Sequence, residues 1–357
     1  MKRIVEFMAG NPWSFLLAAL PLTAAAQLLH WSPLACFILA ALGIIPLAAY
    51  IGGATEDLAA YTNPRLGALL NATFGNAAEL IITIAAVRAG LTELVKASIS
   101  GSIIGNLLFV LGASMLAGGL RHGMQTFNKR RASRNAILLV LAVVALIIPS
   151  AWSQAIGAQG DPKVEALSIG VAIIMLLLYA LGLMEASNVK ESPLGHQLAK
   201  SDLPGWTPAQ AVLILVCSTL GVLWLSETLV NQIQAVMASW NVSEFFLGII
   251  LVPIIGNVAE HLVSVQLALK NKMELSVEVA TSSSLQIALF VAPLLVFISL
   301  LLGHPLQLTF NRFELLAVLT AVVVSALVSS DGESTWLEGA GLLAVYLILG
   351  LGFFLLP

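Results

Sequence analysis

The sequence predicts an all-α polytopic membrane protein with about eleven transmembrane helices: one N-terminal helix followed by two inverted five-helix repeats. The first indication is composition, since 59% of the 357 residues are apolar, only 10% are charged, and the mean hydropathy is +0.97. Soluble proteins are about 45–50% apolar and about 25% charged. This composition excludes a soluble enzyme, a disordered chain and a disulfide scaffold, and a net charge of −3 gives no indication of nucleic-acid binding.

The second indication is the number of apolar segments long enough to cross a bilayer, for which about 20 residues are needed. Polar residues, prolines and glycines separate eleven of them. The predicted helices are 13–30, 33–54, 66–89, 92–119, 134–151, 163–184, 209–230, 243–269, 273–302, 312–329 and 336–356. The longest polar connection is 185–208. We therefore expect an N-terminal helix within 1–32, a first half at 33–184, a linker loop at 185–208 and a second half at 209–357.

The distribution of basic residues predicts the orientation, because Lys and Arg concentrate in cytoplasmic loops. With the N-terminus in the cytoplasm and the C-terminus outside, twelve of the sixteen basic residues fall on the cytoplasmic side. The cluster between Arg121 and Arg134 serves as a topological anchor in this interpretation, and binding of anionic lipid is the alternative.

The third indication is an internal repeat. Residues 75–110 and 256–291 align without a gap at an offset of 181, and ten of the 36 positions are identical. The matches include rare polar residues, above all Asn76 with Asn257 and Glu79 with Glu260. Five predicted spans separate the two glutamates, and an odd number of crossings inverts the second copy in the membrane. Inverted repeats of this kind are typical of secondary transporters.

Glu79 and Glu260 lie inside apolar helices, where an ionised side chain costs several kcal/mol and usually serves a site. Asn76 and Asn257 precede them by three residues and share their helical faces. The following helices contribute further neutral oxygens. The candidates are Ser98, Ser102, Asn106, Ser283 and Gln286. Two carboxylates with amide and hydroxyl oxygens predict a hard-cation site suited to Ca²⁺, although the Asn and Ser side chains can also simply join helices.

Two glycines of the predicted fourth helix, Gly101 and Gly105, are expected to allow another backbone to approach closely. Gly75 in the first repeat, and Pro253 with Gly256 in the second, are expected to loosen helical hydrogen bonding beside the glutamates. Such irregular backbone is tolerated at membrane depth only next to a cavity.

These motifs resemble the alpha repeats of the calcium/proton exchangers, a family within the calcium/cation antiporters. The similarity rests on the paired GNxxE helices, on LSETLV at 225–230, on SSSLQIALFVAPLLV at 282–296 and on DGESTWLEGAGLLAVYLI at 331–348. It covers nearly all of 33–356. Sodium/calcium exchangers usually have a proline just before the repeat glutamate, whereas this chain has Ala78 and Ala259. The difference favours protons as the coupling ion.

The resemblance implies the sodium/calcium exchanger-like fold and export of Ca²⁺ from the cytoplasm driven by proton uptake. Glu79 and Glu260 would bind Ca²⁺ and protons in competition, and Asn76, Asn257 and Gln286 would line the cation path. His261 matches a histidine that the family associates with transport, and packing between helices is its alternative role. No enzymatic activity and no cofactor are expected. The expected partners are Ca²⁺, protons and the lipid bilayer of the cell membrane, with a homo-oligomer possible and no nucleic acid.

The residues also suggest a mechanism. Burial and a neighbouring carboxylate both favour a protonated glutamate, whereas a bound Ca²⁺ holds both glutamates ionised. The site therefore has two states of low free energy, and exchange is obligatory if only these two change their facing direction. Two alternatives stay open at this point: the same scaffold with Na⁺ coupling or with Mn²⁺ or Na⁺ as substrate, and a channel.

Overall fold

The computed structural model describes residues 13–62, 64–157, 160–188 and 205–356, which form a bundle of helices. Within these ranges, each of the eleven predicted helices is present, with ends shifted by a few residues. Residues 1–12 and 189–204, which include the start of the predicted N-terminal segment and most of the predicted linker, lie outside the described residues.

The part of the chain before the linker contains eight α-helices after a short 3₁₀ turn at Ser14–Ala18. They are α1 (Ala19–Leu28), α2 (Pro33–Ala60), α3 (Pro64–Phe74), α4 (Ala77–Arg88), α5 (Thr92–Ile104), α6 (Leu111–His122), α7 (Lys129–Ile156) and α8 (Pro162–Asn188). A π-helical turn, Gly105–Val110, joins α5 to α6 in one continuous helix. The predicted third helix is interrupted, because α3 and α4 are separated by a turn at Gly75 and Asn76.

The part after the linker contains another eight α-helices. They are α9 (Pro208–Asn231), α10 (Ile233–Trp240), α11 (Glu244–Phe246), α12 (Val252–Leu269), α13 (Met273–Gln286), α14 (Ala292–Leu301), α15 (Arg312–Val328) and α16 (Trp336–Leu355). Two π-helical turns continue the helices here, Leu247–Leu251 before α12 and Ile287–Val291 after α13. The short helix α10 was not predicted. Two-residue strands β1 (Gln125–Thr126) and β2 (Glu333–Ser334) pair antiparallel.

Among the described residues, eight continuous helices are long and apolar enough to cross a membrane. The other predicted spans are shorter or interrupted: α1 with its 3₁₀ turn, α3 with α4, and α15.

Polar side chains cap the starts of three helices. Thr207 with Gln210, Asn311 with Glu314 and Thr335 with Glu338 form capping boxes at the starts of α9, α15 and α16, so backbone N–H groups that the helix leaves unpaired are satisfied there.

Contacts between loops sort the helix ends into two opposite layers. One layer holds the β1–β2 pair, the backbone N–H of Trp206 donating to Asp57, and Gln125 donating to the Ala268 carbonyl. The other layer holds the Arg88–Glu227 ion pair, Lys96 donating to the Thr309 carbonyl, and Gly160 N–H donating to Gln307. Successive predicted spans end in alternate layers, as eleven crossings require. The helices that carry Glu79 and Glu260 therefore run in opposite directions.

A close backbone contact joins the two halves next to the bundle centre. A Cβ atom on Gly101 would lie 2.0 Å from the Ile249 carbonyl oxygen, so α5 touches the π-helical turn Leu247–Leu251 backbone to backbone. The prediction of close approach is correct at this glycine. It is wrong at Gly105, where no atom would lie within 4 Å of an added Cβ, apart from the backbone of its own helix.

We expect Gly101→Ala to lower the thermal unfolding temperature in detergent, because the added methyl group meets backbone that cannot rotate away. Overpacking of this kind costs about 1–3 kcal/mol. Gly105→Ala is the matched control and should leave the transition unchanged or raise it, since alanine is the better helix former. Equal unfolding temperatures for the two variants would contradict the contact.

A buried ion pair joins α7 to α13 away from the centre. Arg131 Nη1 lies 2.7 Å from Glu278 Oε2, with side chains 19% and 3% exposed, and 3.7 Å from the more exposed carboxylate of Glu274. Asn135, one turn along α7, donates to Thr281 at 2.9 Å. Because Glu278 is almost fully buried, its charge depends on Arg131 for compensation.

Glu278→Ala should destabilise the protein strongly, since it leaves the guanidinium of Arg131 without its closest partner, a loss that costs about 3–5 kcal/mol at buried pairs. The control Glu274→Ala removes a half-exposed carboxylate at 3.7 Å and should cost about 1 kcal/mol or less. Thermal unfolding monitored by tryptophan fluorescence compares the two. A smaller loss for Glu278→Ala than for Glu274→Ala would overturn this assignment.

Candidate cation site

The site lies where the two repeat helices cross. A Cβ atom on Gly256 would lie 3.4 Å from both Cα and Cβ of Glu79, so α12 passes α4 at the first glutamate. Both helices are irregular before this point. The break at Gly75 lies where the sequence predicts one, whereas the irregular turn of the second half ends before Pro253, and Gly256 lies in the regular helix α12. The turn at Gly75 and Asn76 precedes α4, and the π-helical turn Leu247–Leu251 precedes α12. π-Helical turns are frequent at functional sites.

Glu79 is the most enclosed carboxylate of the site, with an exposed fraction of 1%. Ser102 of α5 donates its hydroxyl to Oε1 in a short hydrogen bond, and Asn257 of α12 donates its amide to Oε2 at 3.3 Å. The amide of Asn257 is also 3.3 Å from the Ser102 hydroxyl. Both oxygens of Glu79 therefore have a donor, and one donor comes from the other half of the molecule.

A second group of neutral side chains connects the halves beside Glu79. Asn76 donates to Gln286 Oε1 at 2.5 Å, and its own Oδ1 accepts the Ser283 hydroxyl at 3.4 Å. Asn106, in the π-helical turn after α5, donates to the Ser283 oxygen at 3.0 Å. All four residues are at most 3% exposed. Their amide and hydroxyl groups form a chain that runs across the interface between the repeats.

Glu260 has a different environment from its counterpart. It is partly exposed, and within the described part of the chain its Oε2 atom has no hydrogen-bond partner. The Ser283 hydroxyl interacts with this carboxylate. The negative charge of Glu260 in turn acts on both Glu79 and Glu56. The two predicted carboxylates are thus electrostatically coupled, but only Glu79 is fully satisfied by protein donors.

Glu56, near the end of α2, is not among the site residues that the sequence predicts. It is exposed to solvent and yet close enough to Glu260 for the two charges to interact. In the sequence, Thr55-Glu56 near the end of α2 corresponds weakly to Ser226-Glu227 near the end of α9. In the structure these positions differ, because Glu227 forms a 2.7 Å ion pair with Arg88 at the opposite layer.

Two of the predicted site residues are not joined to this network. The hydroxyl of Ser98 is buried and has no hydrogen-bond partner among the described residues. His261 is 7% exposed, and its ring packs edge-on against Phe109 with centroids 6.0 Å apart. The described hydrogen bonds do not connect either side chain to the glutamates, and the contact of His261 is one of helix packing.

Two further hydroxyls, each four residues after one of the repeat glutamates, bond away from the site. Thr83 donates to the carbonyl of Glu79 in its own helix at 2.8 Å. Ser264 bonds with Ser276 and Ser114, at 2.8 and 3.0 Å, and so joins three helices. Both therefore satisfy local polar groups, the role that is usual for Ser and Thr in membrane helices.

The donor set determines what this site can hold. No group of three or more His, Cys, Asp or Glu side chains converges among the described residues. The network instead offers two carboxylates with amide and hydroxyl oxygens. Oxygen-only sets of this kind suit hard cations, of which Ca²⁺ takes six to eight ligands. The same two carboxylates can also each take a proton.

Two antiparallel repeats with a carboxylate from each, meeting among broken or irregular helices, define the class of ion-coupled secondary transporters. The family model described as "Sodium/calcium exchanger protein" matches residues 32–185 and 210–355. The chain belongs to this family.

The resemblance to calcium/proton exchangers is confirmed by individual relatives. A protein of Aphanothece halophytica named "Ca(2+)/H(+) antiporter" is 43% identical over 357 aligned residues, covering 96% of each chain. "Ca(2+)/H(+) antiporter ChaA" of Bacillus subtilis (strain 168) is 43% identical, covering 95% of this chain and 97% of its own. The solved structure of native YfkE superposes with a TM-score of 0.85 at 42% identity, covering 96% of this chain and all of the other.

Proposed function

We propose that the protein is a secondary active antiporter that exports cytosolic Ca²⁺ in exchange for protons by alternating access. Ca²⁺ and protons compete for Glu79 and Glu260 near the middle of the membrane. The observation that carries the proposal is that Ser102 and Asn257 donate to Glu79, and Ser283 to Glu260, within one buried group of neutral side chains. Neither glutamate has a basic partner in the described ion pairs. The names of the 43%-identical relatives support the same ion pair.

The coupling of Ca²⁺ transport to proton transport follows from the free-energy cost of two ionised glutamates in a site with few charged partners. With neither ion bound, two ionised carboxylates would repel each other in a low-dielectric environment. Ca²⁺ neutralises both, and so do two protons, which makes these the two states able to pass through a closed intermediate. Exchange is then obligatory at a minimum of two protons per Ca²⁺ by charge balance.

The neutral residues have distinct roles in this mechanism. Asn257 and Ser102 hold the carboxylate of Glu79 in place, and Asn76, Gln286, Asn106 and Ser283 offer oxygens to the ion from both repeats. Glu260 is the more accessible carboxylate, and Glu56 extends a line of negative charge from it toward solvent. We assign this open side to the cytoplasm, which makes the described conformation inward-facing.

The orientation follows from the basic residues and from the two layers of the fold. The layer that contains the β1–β2 pair also contains Arg121, Lys129, Arg130, Lys270 and Lys272. The opposite layer contains Arg88, Lys96, Lys163 and Arg312. Because positive charge favours the cytoplasmic side, we place the β1–β2 layer in the cytoplasm of a cell membrane, with the N-terminus inside and the C-terminus outside.

Purified protein in sealed, acid-loaded liposomes should accumulate ⁴⁵Ca²⁺ after dilution into alkaline buffer. A protonophore combined with a potential clamp should abolish the accumulation. Glu79→Gln and Glu260→Gln should each reduce uptake at least about 100-fold, because a neutral amide can neither release a proton nor balance the Ca²⁺ charge. Gel filtration and thermal unfolding check that both variants remain folded.

Glu333→Gln is the matched control, since it removes an exposed carboxylate in β2, away from the site, and should transport like the wild type. Wild-type rates in either site variant would overturn the proposed role of the glutamates. Ca²⁺ uptake that is independent of the pH gradient and requires internal Na⁺ would contradict the assignment of protons as the coupling ion. Uptake without counterflow would indicate a channel.

The orientation is tested with single cysteines in intact cells, in a Cys36→Ala/Cys217→Ala background. Lys272→Cys, in the β1–β2 layer, should resist a membrane-impermeant maleimide until the cells are opened. His304→Cys, in the opposite layer, should react from outside. Both positions are exposed, so access alone decides the result. The reverse labelling pattern would invert the topology and with it the export direction.

A further inference from the structure

A groove that the proposed transport cycle does not use lies between α7 and α15, close to the β1–β2 layer. Its volume is about 370 Å³, within the usual range for small-molecule sites. On the α7 side, the residues that line the groove after Ser133 are apolar. The other side is formed by the C-terminal end of α15 and the residues that follow it. The groove is lined by Ser133, Ala136, Ile137, Val140, Leu141, Ala326 and Ser330.

The groove faces the lipid phase. Ile137, Val140 and Leu141 are 58%, 41% and 48% exposed, and α7 is a membrane-spanning helix. The lining stretch from Ser133 to Leu141 extends about 12 Å along the helix axis at 1.5 Å per residue. A hydrocarbon chain is therefore the natural occupant of its apolar part, and the polar end at Ser133 and Ser330 lies toward the membrane boundary.

The same helical face continues into positive charge at that boundary. Arg130, Ser133, Arg134 and Ile137 follow the helical spacing i, i+3, i+4, i+7, so all four share one face of α7. Arg130 is exposed and is absent from the ion pairs of the described residues. The first turn of α7 contains no acidic residue.

We propose that this groove binds one anionic phospholipid, with an acyl chain against Ile137, Val140 and Leu141 and the headgroup phosphate at Arg130 and Arg134. Charge complementarity selects the anionic headgroup, because two guanidinium groups adjoin the polar end of an apolar channel. The Ser133 and Ser330 hydroxyls are placed to donate to phosphate or ester oxygens.

The charged groups around Arg130 have contacts of their own. Arg131 points to the protein interior, where Glu278 and Glu274 hold it. On the α15 side, the carboxylate of Asp331 accepts the backbone N–H of Glu333 at 3.0 Å within its own turn. Glu333 itself belongs to β2. The described ion pairs and hydrogen bonds do not join these acidic groups to Arg130.

The test uses the delipidated full-length protein and native mass spectrometry with dioleoyl phosphatidylglycerol or dioleoyl phosphatidylcholine. The wild type should retain one molecule of the anionic lipid with a preference on the order of 10-fold over the zwitterionic one. Arg130→Gln/Arg134→Gln should remove the preference. Ala326→Leu should reduce binding of both lipids by filling the groove, and it keeps the proposal testable if the double variant fails to fold.

Lys270→Gln/Lys272→Gln is the matched control, since it removes two exposed positive charges from the same layer but not from the groove. It should keep the wild-type preference. An equal loss of the preference for anionic lipid in the two double variants would indicate a diffuse charge effect and would overturn the site. Equal retention of the two lipids by the wild type would also overturn it. Displacement of the lipid by glycerol phosphate alone would show that the headgroup binds without the groove, which also contradicts the proposal.

Discussion

Compensation of carboxylates inside a low-dielectric bundle is the constraint on which this structure depends. An ionised side chain at the centre of a membrane helix costs about 3 kcal/mol or more unless polar groups surround it. The Ser102 hydroxyl and the Asn257 amide, one donor from each half of the chain, stabilise the carboxylate of Glu79 by hydrogen bonds. The crossing of α4 and α12 at Gly256 brings those donors within reach.

The buried acids of this protein divide into two kinds by the partner that compensates them. Glu278 has a fixed cation, Arg131 at 2.7 Å, and Glu314 caps α15 by accepting the backbone N–H of Asn311 at 2.7 Å. Glu79 and Glu260 have only neutral donors and each other, within the described chain. A fixed cation would occupy the place of a transported one, so the absence of a basic partner suits the two repeat glutamates to exchangeable ions.

The two halves are related by sequence but are not equivalent in structure. The helix of Glu79 is interrupted at Gly75 and Asn76, whereas the helix of Glu260 stays continuous through a π-helical turn. Glu79 is closed off and hydrogen-bonded at both oxygens, while Glu260 is partly exposed and has one oxygen without a partner among the described residues. The alternating access that we propose requires an inverted pair with two different local environments, since exchanging the environments reverses the accessible side.

The sequence by itself determined the membrane class, the eleven helices and the paired glutamates, because apolar length and a gapless repeat of rare polar residues are local signals. It also placed Asn76, Asn257, Ser102, Asn106, Ser283 and Gln286 near the site. Only the tertiary structure decided which of them meet, that Ser98 and His261 stand apart, and that Glu56 is coupled to Glu260. Helical spacing fixes the face on which a side chain lies, whereas its partner depends on how separate helices cross, which no spacing within one helix specifies.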